Sequence, residues 1–320
     1  MEGSKGGSGK QEGLRSLHWN ERAGLFVQDM VVGACVTSLS KSLLAPLERV
    51  KILHQTQSVS LQITPEARYK GVTSTLLRIS REQGFWTLWR GNGINLIRYF
   101  PTQSLNFAFK DVFKQIFFPS AGNGQSIGRL DYALRNMASG GAAGATALLA
   151  LYPLDLARTR ITSDIGKKSA TRYVGLRDCL RQVYATEGGI RALYRGVGIA
   201  MCGIVPYRAV YFGGYDNLKR FVIPDPPSRV DLFFAAQATT FSAQITAYPF
   251  DTVRRHMHLR GGGTDRLYTS SSDCIRKIWS QSRAIGFYRG FLASSLRSFG
   301  GAISLVLFDE ITKHSKFTLA

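Results

Sequence analysis

Two short motifs recur three times, in phase, along this chain. The first reads proline, any residue, acid, two residues, base: Pro46-Leu47-Glu48-Arg49-Val50-Lys51, Pro153-Leu154-Asp155-Leu156-Ala157-Arg158 and Pro249-Phe250-Asp251-Thr252-Val253-Arg254. The second is an aromatic residue followed by Arg-Gly: Trp89-Arg90-Gly91, Tyr194-Arg195-Gly196 and Tyr288-Arg289-Gly290. Successive prolines lie 107 and 96 residues apart, and the aromatic follows its proline by 43, 41 and 39 residues. Two motifs that keep phase over three copies mark one supersecondary unit repeated, and that constrains the fold more than any local pattern.

Each copy has the same layout. A small-residue-rich, mostly apolar helix leads through the proline motif, over 27–56, 132–162 and 230–259. A polar loop and a short amphipathic helix follow, at Val72–Glu82, Leu176–Glu187 and Ser272–Gln281. The aromatic-Arg-Gly element comes next, and a second long helix closes the unit, over 92–117, 198–222 and 291–315. A bilayer needs roughly 20 residues of helix, which all six long segments exceed. The expected fold is therefore an all-α membrane protein with six transmembrane helices in three tandem two-helix repeats. Its expected parts are a disordered tail over 1–23, repeats over 24–122, 123–226 and 227–316, and a C-terminal tail over 317–320. Mean hydropathy is only −0.05, which suits helices with one face to lipid and one to water. A proline inside a helix removes a hydrogen bond and bends it, so three equivalent kinks bring three helix ends to one level. Gly140 with Gly144, Gly33 with Thr37, and Ala235 with Thr239 and Ala243 read as close-packing contacts. The Gly140–Ala145 run has no preceding strand and no following Lys-Ser/Thr, so it does not read as a phosphate loop.

Ionised groups inside a membrane helix cost about 2.5–3.5 kcal/mol each on insertion scales and mark function. Each unit places an acid and a base three residues apart, on one helix face. In a threefold arrangement the acid of one helix meets the base of the next, which pairs Glu48 with Arg158, Asp155 with Arg254, and Asp251 with Lys51. Such a ring of ion pairs would block an axial path, and a gate is the sharper reading of it than static charge pairing. The second helices carry a weaker counterpart, Asp111 with Lys114 and Asp216 with Lys219. The third copy has Asp309 but Thr312 at the basic position, so this second ring is incomplete. Between the rings stand Lys41, Arg98, Arg208 and Arg297, with no acid at matching depth. They suit phosphate or carboxylate ligands. Tyr207, Tyr211 and Tyr215 recur every four residues beside Arg208, as a packing stripe or a stacking track.

Charge narrows the partners. Lys and Arg number 41 against 21 Asp and Glu, a formal charge of +20. That suggests nucleic acid, anionic lipid or an anionic substrate. Nucleic-acid binders cluster bases on exposed elements with interleaved aromatics; here bases recur at fixed places in apolar repeats. Cys35, Cys179, Cys202 and Cys274 have no metal-ligand spacing and read as reduced thiols. His256 and His258 lack an evident third ligand, so no metal site is expected. No nucleophile–base constellation points to an enzyme. The N-terminal MEGSKGGSGKQEG lacks a secretory h-region or an Arg-rich presequence, so organelle targeting would be internal.

The three motif copies resemble the mitochondrial carrier family over roughly residues 24–316. Within it the chain is most similar to the ADP/ATP carriers, through Ile97–Gln103, Ser104–Asp111 (SLNFAFKD), Ala138–Thr146 (ASGGAAGAT), Tyr152–Arg160 (YPLDLARTR) and Tyr207–Phe212 (YRAVYF). The resemblance implies a pseudo-threefold monomer in the inner membrane, with alternating access between matrix and cytosolic gates and exchange of ADP for ATP. The alternative substrate is another adenine nucleotide or phosphorylated metabolite, such as AMP or a coenzyme A-like compound. Lys41, Arg98 and Arg297 match phosphate-contacting positions, Gly203, Ile204 and Tyr207 the adenine side, and Gln55 a brace of the matrix gate. Arg90-Gly91, Arg195-Gly196 and Arg289-Gly290, with Gly71 and Gly175 at short-helix starts, match cardiolipin sites, a role helix N-termini suit. No cofactor is implied. Departures gather in the third copy. Arg254-Arg255-His256-Met257-His258-Leu259 replaces an Arg-Arg-Arg-Met-Met-Met run, and Ala247 and Ser294 stand where Ser and Asn are usual. Gln281-Ser282-Arg283 replaces Glu-Gly, and Ser270 replaces a lipid-site Gly.

Overall fold

The computed structural model describes residues 37–60, 62–117, 129–166, 172–221, 228–259 and 268–301. The chain divides into two units, one of residues 1–43 with 304–320, the other Leu44–Ile303. The described part of the first is a helical stretch over 37–43. Everything below concerns the second.

That unit is helical throughout its described residues. In chain order it holds α1 (Ala45–Thr56), α2 (Val72–Gln83), α3 (Asn92–Phe117), α4 (Arg129–Ser163), α5 (Leu176–Glu187), α6 (Val197–Phe221), α7 (Arg229–His258), α8 (Ser271–Phe287) and α9 (291–301). Pro153 and Pro249 lie inside α4 and α7 as the motif requires. In the first copy the helix expected over 27–56 is broken by a turn at Leu44, and Pro46 sits in the first turn of α1, where its missing N–H costs nothing.

The short helices are amphipathic for the same reason in all three copies. α2 buries Thr75 and Ile79, α5 Cys179 and Val183, α8 Cys274 and Ile278, each pair four residues apart on one face. Each face closes a small core with the end of its proline helix and a loop tyrosine: Leu53 and Tyr69, Ile161 and Tyr173, Met257 and Tyr268. Ile79 is fully buried, worth roughly 1.5–3 kcal/mol against exposure. α2 starts at Gly71 and α5 at Gly175, whereas α8 starts at Ser270, whose hydroxyl accepts from Asp273 N at 3.1 Å.

The proline helices α1, α4 and α7 touch one another pairwise, and α3 lies along α4 as α6 lies along α7. The aromatic-Arg-Gly turns lock this cyclic order. Gly91, Gly196 and Gly290 have φ of +85°, +80° and +79°, a region glycine enters without strain. A Cβ on Gly91 would strike Thr162 of the second copy. One on Gly196 would meet Met257 and Arg254 of the third, and one on Gly290 would lie 2.8 Å from Lys51 O of the first. Each copy's turn thus presses on the proline helix of the next.

Two expectations change here. Among the described residues no helix is long and apolar enough to cross a membrane. The long helices carry the motif charges and stretches of Ala, Gly, Ser and Thr, which dilute their hydropathy. Among the described residues outside its own helix, a Cβ on Gly140 or Gly144 would meet only the Arg208 guanidinium, at 3.4 and 3.0 Å, and not another helix backbone. Gly214 shows the close-packing role instead, with a Cβ position 2.8 Å from Thr239 Cγ2.

Candidate functional site

The prolines bring three acid–base pairs to one level. Lys51 Nζ lies 3.0 Å from Asp251 Oδ2, Arg254 Nη2 lies 2.7 Å from Asp155 Oδ2, and Arg158 pairs with Glu48. These are the pairings that the threefold register predicts. Each joins neighbouring copies, so the ring closes on itself. Gln55 adds hydrogen bonds from α1 to Asp251 Oδ2 (3.4 Å) and Thr252 Oγ1 (3.2 Å).

The ring holds more cations than the motif alone supplies. Arg98 on α3 reaches Asp155 Oδ1 at 2.6 Å, and Arg255 reaches Asp251 Oδ2 at 3.2 Å. The expectation that no acid neutralises Arg98 is therefore corrected. Three carboxylates thus face a surplus of positive charge. Among the described residues, the Nε groups of Arg98, Arg254 and Arg297 are buried without a hydrogen-bond partner, and orphaned donors of that kind are rare in native structures.

A cavity of about 480 Å³ opens beside the ring, and Asp251 and Arg254 belong to its wall. Its polar lining comes from Arg98, Thr102 and Asn106, one stripe of α3 at four-residue spacing, and from Tyr207, Arg208 and Tyr211 of α6. Leu148, Leu151, Ile204 and Phe250 supply apolar wall. The rings of Tyr207 and Tyr211 stack, 6.1 Å apart and 8° from parallel. Gly203 lines the cavity because α6 must pass α7 closely: a Cβ there would lie 2.8 Å from Phe250 Cβ. The volume suits a small organic ligand, and the lining offers it an aromatic face at one place and guanidinium groups at others.

Other sequence-derived residues fall elsewhere. Lys41 lies on the 37–43 helix of the other unit. Asp111 and Lys114 are exposed on α3. The side chains of Tyr215, Asp216 and Lys219, and all of Asp309, lie outside the described residues. Ala247 lines the cavity, but Ser294 is fully buried and bonds Gln244 instead. The arginines of the aromatic-Arg-Gly turns are engaged within the protein. Arg90 donates to Asp164 O (2.8 Å), Arg195 to Glu187 (2.9 Å) and Arg289 to Ser282 Oγ (2.9 Å).

Sequence reasoning missed the contacts that tie the copies together below the ring. Arg160 is buried with Glu187 on one side and His258 O (2.7 Å) on the other. His256 Nε2 donates to Gln55 O at 2.7 Å, and its Nδ1 faces Tyr268 Oη at 3.3 Å. His258 sits between Tyr152 Oη (3.0 Å) and Thr159 Oγ1 (3.2 Å). Both ring nitrogens of each histidine are thus taken by protein groups. Off the long helices, burial pushes the thiols of Cys179 and Cys274 up to about 12. The Thr269 N–H and Lys277 hold the Asp273 carboxyl below its usual range.

Comparison with known proteins agrees with the repeat. A family model described as mitochondrial carrier protein matches residues 23–121, 130–226 and 225–318. The chain is 48% identical over 289 residues to ADP/ATP translocase 4 of Bos taurus, covering 89% of this chain and 88% of that one. It is 48% identical over 294 residues to ADP/ATP translocase 2 of Bos taurus, covering 90% and 97%. It is 44% identical over 291 residues to the mitochondrial substrate carrier family protein ancA of Dictyostelium discoideum, covering 90% and 93%.

Proposed function

This chain belongs to the mitochondrial carrier family, a multi-pass carrier of the inner membrane and not an enzyme, and from that premise we propose that it exchanges ADP for ATP. In this reading the six long segments form a pseudo-threefold bundle around the cavity, and the protein works as a monomer. Glu48–Arg158, Asp155–Arg254 and Asp251–Lys51, with Gln55 as brace, form the matrix gate. Asp111, Lys114, Asp216, Lys219 and Asp309 form the cytosolic one. Lys41, Arg98, Arg208 and Arg297 take the phosphates, while Gly203, Ile204 and Tyr207 take the base. Cardiolipin docks at the aromatic-Arg-Gly turns and the Gly71 and Gly175 helix starts.

The observation that carries the reading is the sharing of Asp155. Arg98 and Arg254 both bond it, both line the cavity, and both have an unpartnered Nε. A polyphosphate arriving in the cavity competes with Asp155 for those guanidinium groups. Every bond it takes weakens a gate pair, so the anion stabilises the open-gate state relative to the closed one. Breaking a buried pair with nothing in exchange costs about 3–5 kcal/mol; a polyphosphate offsets that by charge-assisted bonds of its own. Empty carrier then stays shut, which makes transport an obligatory exchange.

The test is uptake of labelled ADP into liposomes holding the purified protein, with and without internal ADP or ATP. Uptake only against internal nucleotide is expected. Uptake that ignores internal nucleotide refutes the exchange. One observation favours a second reading, a carrier of another adenine nucleotide or phosphorylated metabolite. Ala247 leaves an apolar wall in the third copy, and Ser294 is turned away from the cavity. A counter-substrate panel of AMP, coenzyme A, GDP and phosphate decides it, with Arg98→Ala as the inactive control.

A further inference from the structure

The arginines of the three aromatic-Arg-Gly turns do not keep the same company. Arg90 donates to Asp164 O at 2.8 Å, and Arg195 bonds the Glu187 carboxylate at 2.9 Å. Arg289 has the Ser282 hydroxyl, at 2.9 Å, and among the described residues no carboxylate at ion-pair distance. A second guanidinium without an acid stands at the same seam, in the loop of the first copy. It is Arg68, whose Nε is buried without a partner among the described residues. Burial, and after it the charge of Arg68, holds the Arg289 guanidinium below its usual range.

Both arginines stand on anchored backbone. The Gln57 side chain, at the end of α1, accepts from Tyr69 N at 2.7 Å and donates to Tyr69 O at 3.3 Å, which clamps the residue next to Arg68. Tyr248 Oη of α7 donates to Arg289 O at 3.1 Å. A Cβ on Gly290 would lie 2.8 Å from Lys51 O and 3.1 Å from His54 Cβ. Leu53, in that same turn of α1, packs with Tyr69. The two arginines therefore flank one turn of α1. The second copy shows how such a pair is neutralised: Arg160 and Arg195 share one carboxylate, Glu187, whose side chain is 1% exposed. Counting back from the aromatic residue, Gln281 stands in the place of Glu187. The seam of the third and first copies has two guanidinium groups and lacks the shared acid.

We propose that Arg68 and Arg289 form an oxyanion site at this seam, where a soluble phosphate-type anion supplies the negative charge that Glu187 supplies in the second copy. A phosphate accepts charge-assisted bonds from two guanidinium groups at once. The site is separate from the cavity, whose wall includes neither arginine. It is also separate from the lipid contact proposed at the turns, because Arg68 and the missing acid define it. Thr64, Glu66 and Lys70 around Arg68 are exposed, and so polar a loop takes its ligand from solution. The anion bridges the first and third copies, so it strengthens their seam whatever solute the carrier moves.

The experiment compares wild type, Arg68→Gln, Ser282→Asp and, as a control, Arg81→Gln, which removes an exposed charge from α2. The readout is the melting temperature of purified protein in detergent, in inorganic phosphate and in chloride of equal ionic strength, with and without added cardiolipin. At a phosphate concentration about tenfold above the dissociation constant, wild type and Arg81→Gln should each gain about 2 °C over chloride. Arg68→Gln should gain nothing, and in chloride it should melt no lower than wild type, because a like charge has gone. Ser282→Asp puts a carboxylate where Arg289 now meets a hydroxyl; it should melt higher than wild type in chloride and gain nothing from phosphate. Absence of any gain in wild type overturns the proposal. A gain of the same size in all four proteins does so too, since phosphate then acts only by exclusion from the protein surface. Loss of the gain in Arg81→Gln would show diffuse surface charge at work, and a gain that appears only with cardiolipin would assign the pair to lipid; either outcome sinks the site.

Discussion

Arg283 is the one non-glycine residue with positive φ among those described, at φ 51° and ψ −148°. It stands five residues before Tyr288. The residues five before Tyr194 and Trp89 are Gly189, at φ 67° and ψ −142°, and Gly84, at φ 98° and ψ 150°. The third copy therefore keeps the backbone of the second while replacing the glycine that suits it. An L-residue in such a region is strained by about 1–3 kcal/mol. Restoring glycine removes that strain but adds about 0.5–1 kcal/mol of unfolded-state entropy. Arg283→Gly should therefore stabilise the protein by about 1–2 kcal/mol, a rise of about 1.5–3 °C in melting temperature for a chain of this size. The assay is thermal unfolding in detergent, read by a thiol-reactive dye that reports exposure of the buried Cys179 and Cys274. Arg283→Ala keeps the positive φ and should not share the gain. An unchanged or lower melting temperature for Arg283→Gly refutes the strain argument. So does an equal rise for Arg283→Ala, since the exposed side chain would then be the cause.

Asp155→Asn removes the carboxylate that Arg98 and Arg254 share, and should cost about 3–5 kcal/mol of stability in the closed-ring state, seen as a lower melting temperature together with loss of ADP exchange. Exchanging Glu48 and Arg158 for each other's residue should recover part of the exchange that either single change abolishes; a double variant no better than the singles would show that the pair does not act as a pair. Maleimide labelling between pH 7 and 9 should modify the exposed Cys202 first. Cys179 and Cys274 should resist, because burial pushes their thiols up to about 12 and the thiolate grows only as pH rises toward that value. Labelling of Cys179 as fast as Cys202 in the folded protein would show that the core around α5 is open.

The ring was legible in the sequence because its geometry is local. Proline, acid and base sit within one turn of each other, and three copies in phase leave one cyclic pairing. The short helices were legible from apolar residues four apart. The cavity wall was only half legible. Arg98, Thr102 and Asn106 form a polar stripe at helical spacing that a search for runs of bases passes over. The sharing of Asp155 depends on how far a guanidinium reaches along the bundle, which no spacing rule reports. Gly140 and Gly144 were legible as small residues, but what stands opposite them is set by the rotation of α6, a tertiary fact.

The departures in the third copy were legible only singly, and the structure joins two of them. In the second copy Arg160 and Arg195 both bond Glu187, whose side chain is 1% exposed. The third copy has His256 where Arg160 stands and Gln281-Ser282 where the acid would be, and Arg289 bonds the Ser282 hydroxyl. Losing one partner of a buried ion pair leaves an uncompensated charge, whereas losing both is close to neutral. Arginine and acid have gone together, so the change is one that stability permits. Yet the latch between copies is kept. Arg160 caps the last carbonyl of α7, and His256 donates in the same way to Gln55 O near the end of α1. A guanidinium adds a full charge at the negative end of a helix dipole; a neutral imidazole adds only the hydrogen bond. The histidine contact between the third and first copies therefore has the same geometry as the arginine contact between the second and third, without the guanidinium's charge, and in the gate reading proposed above it is the contact that parts at lower cost.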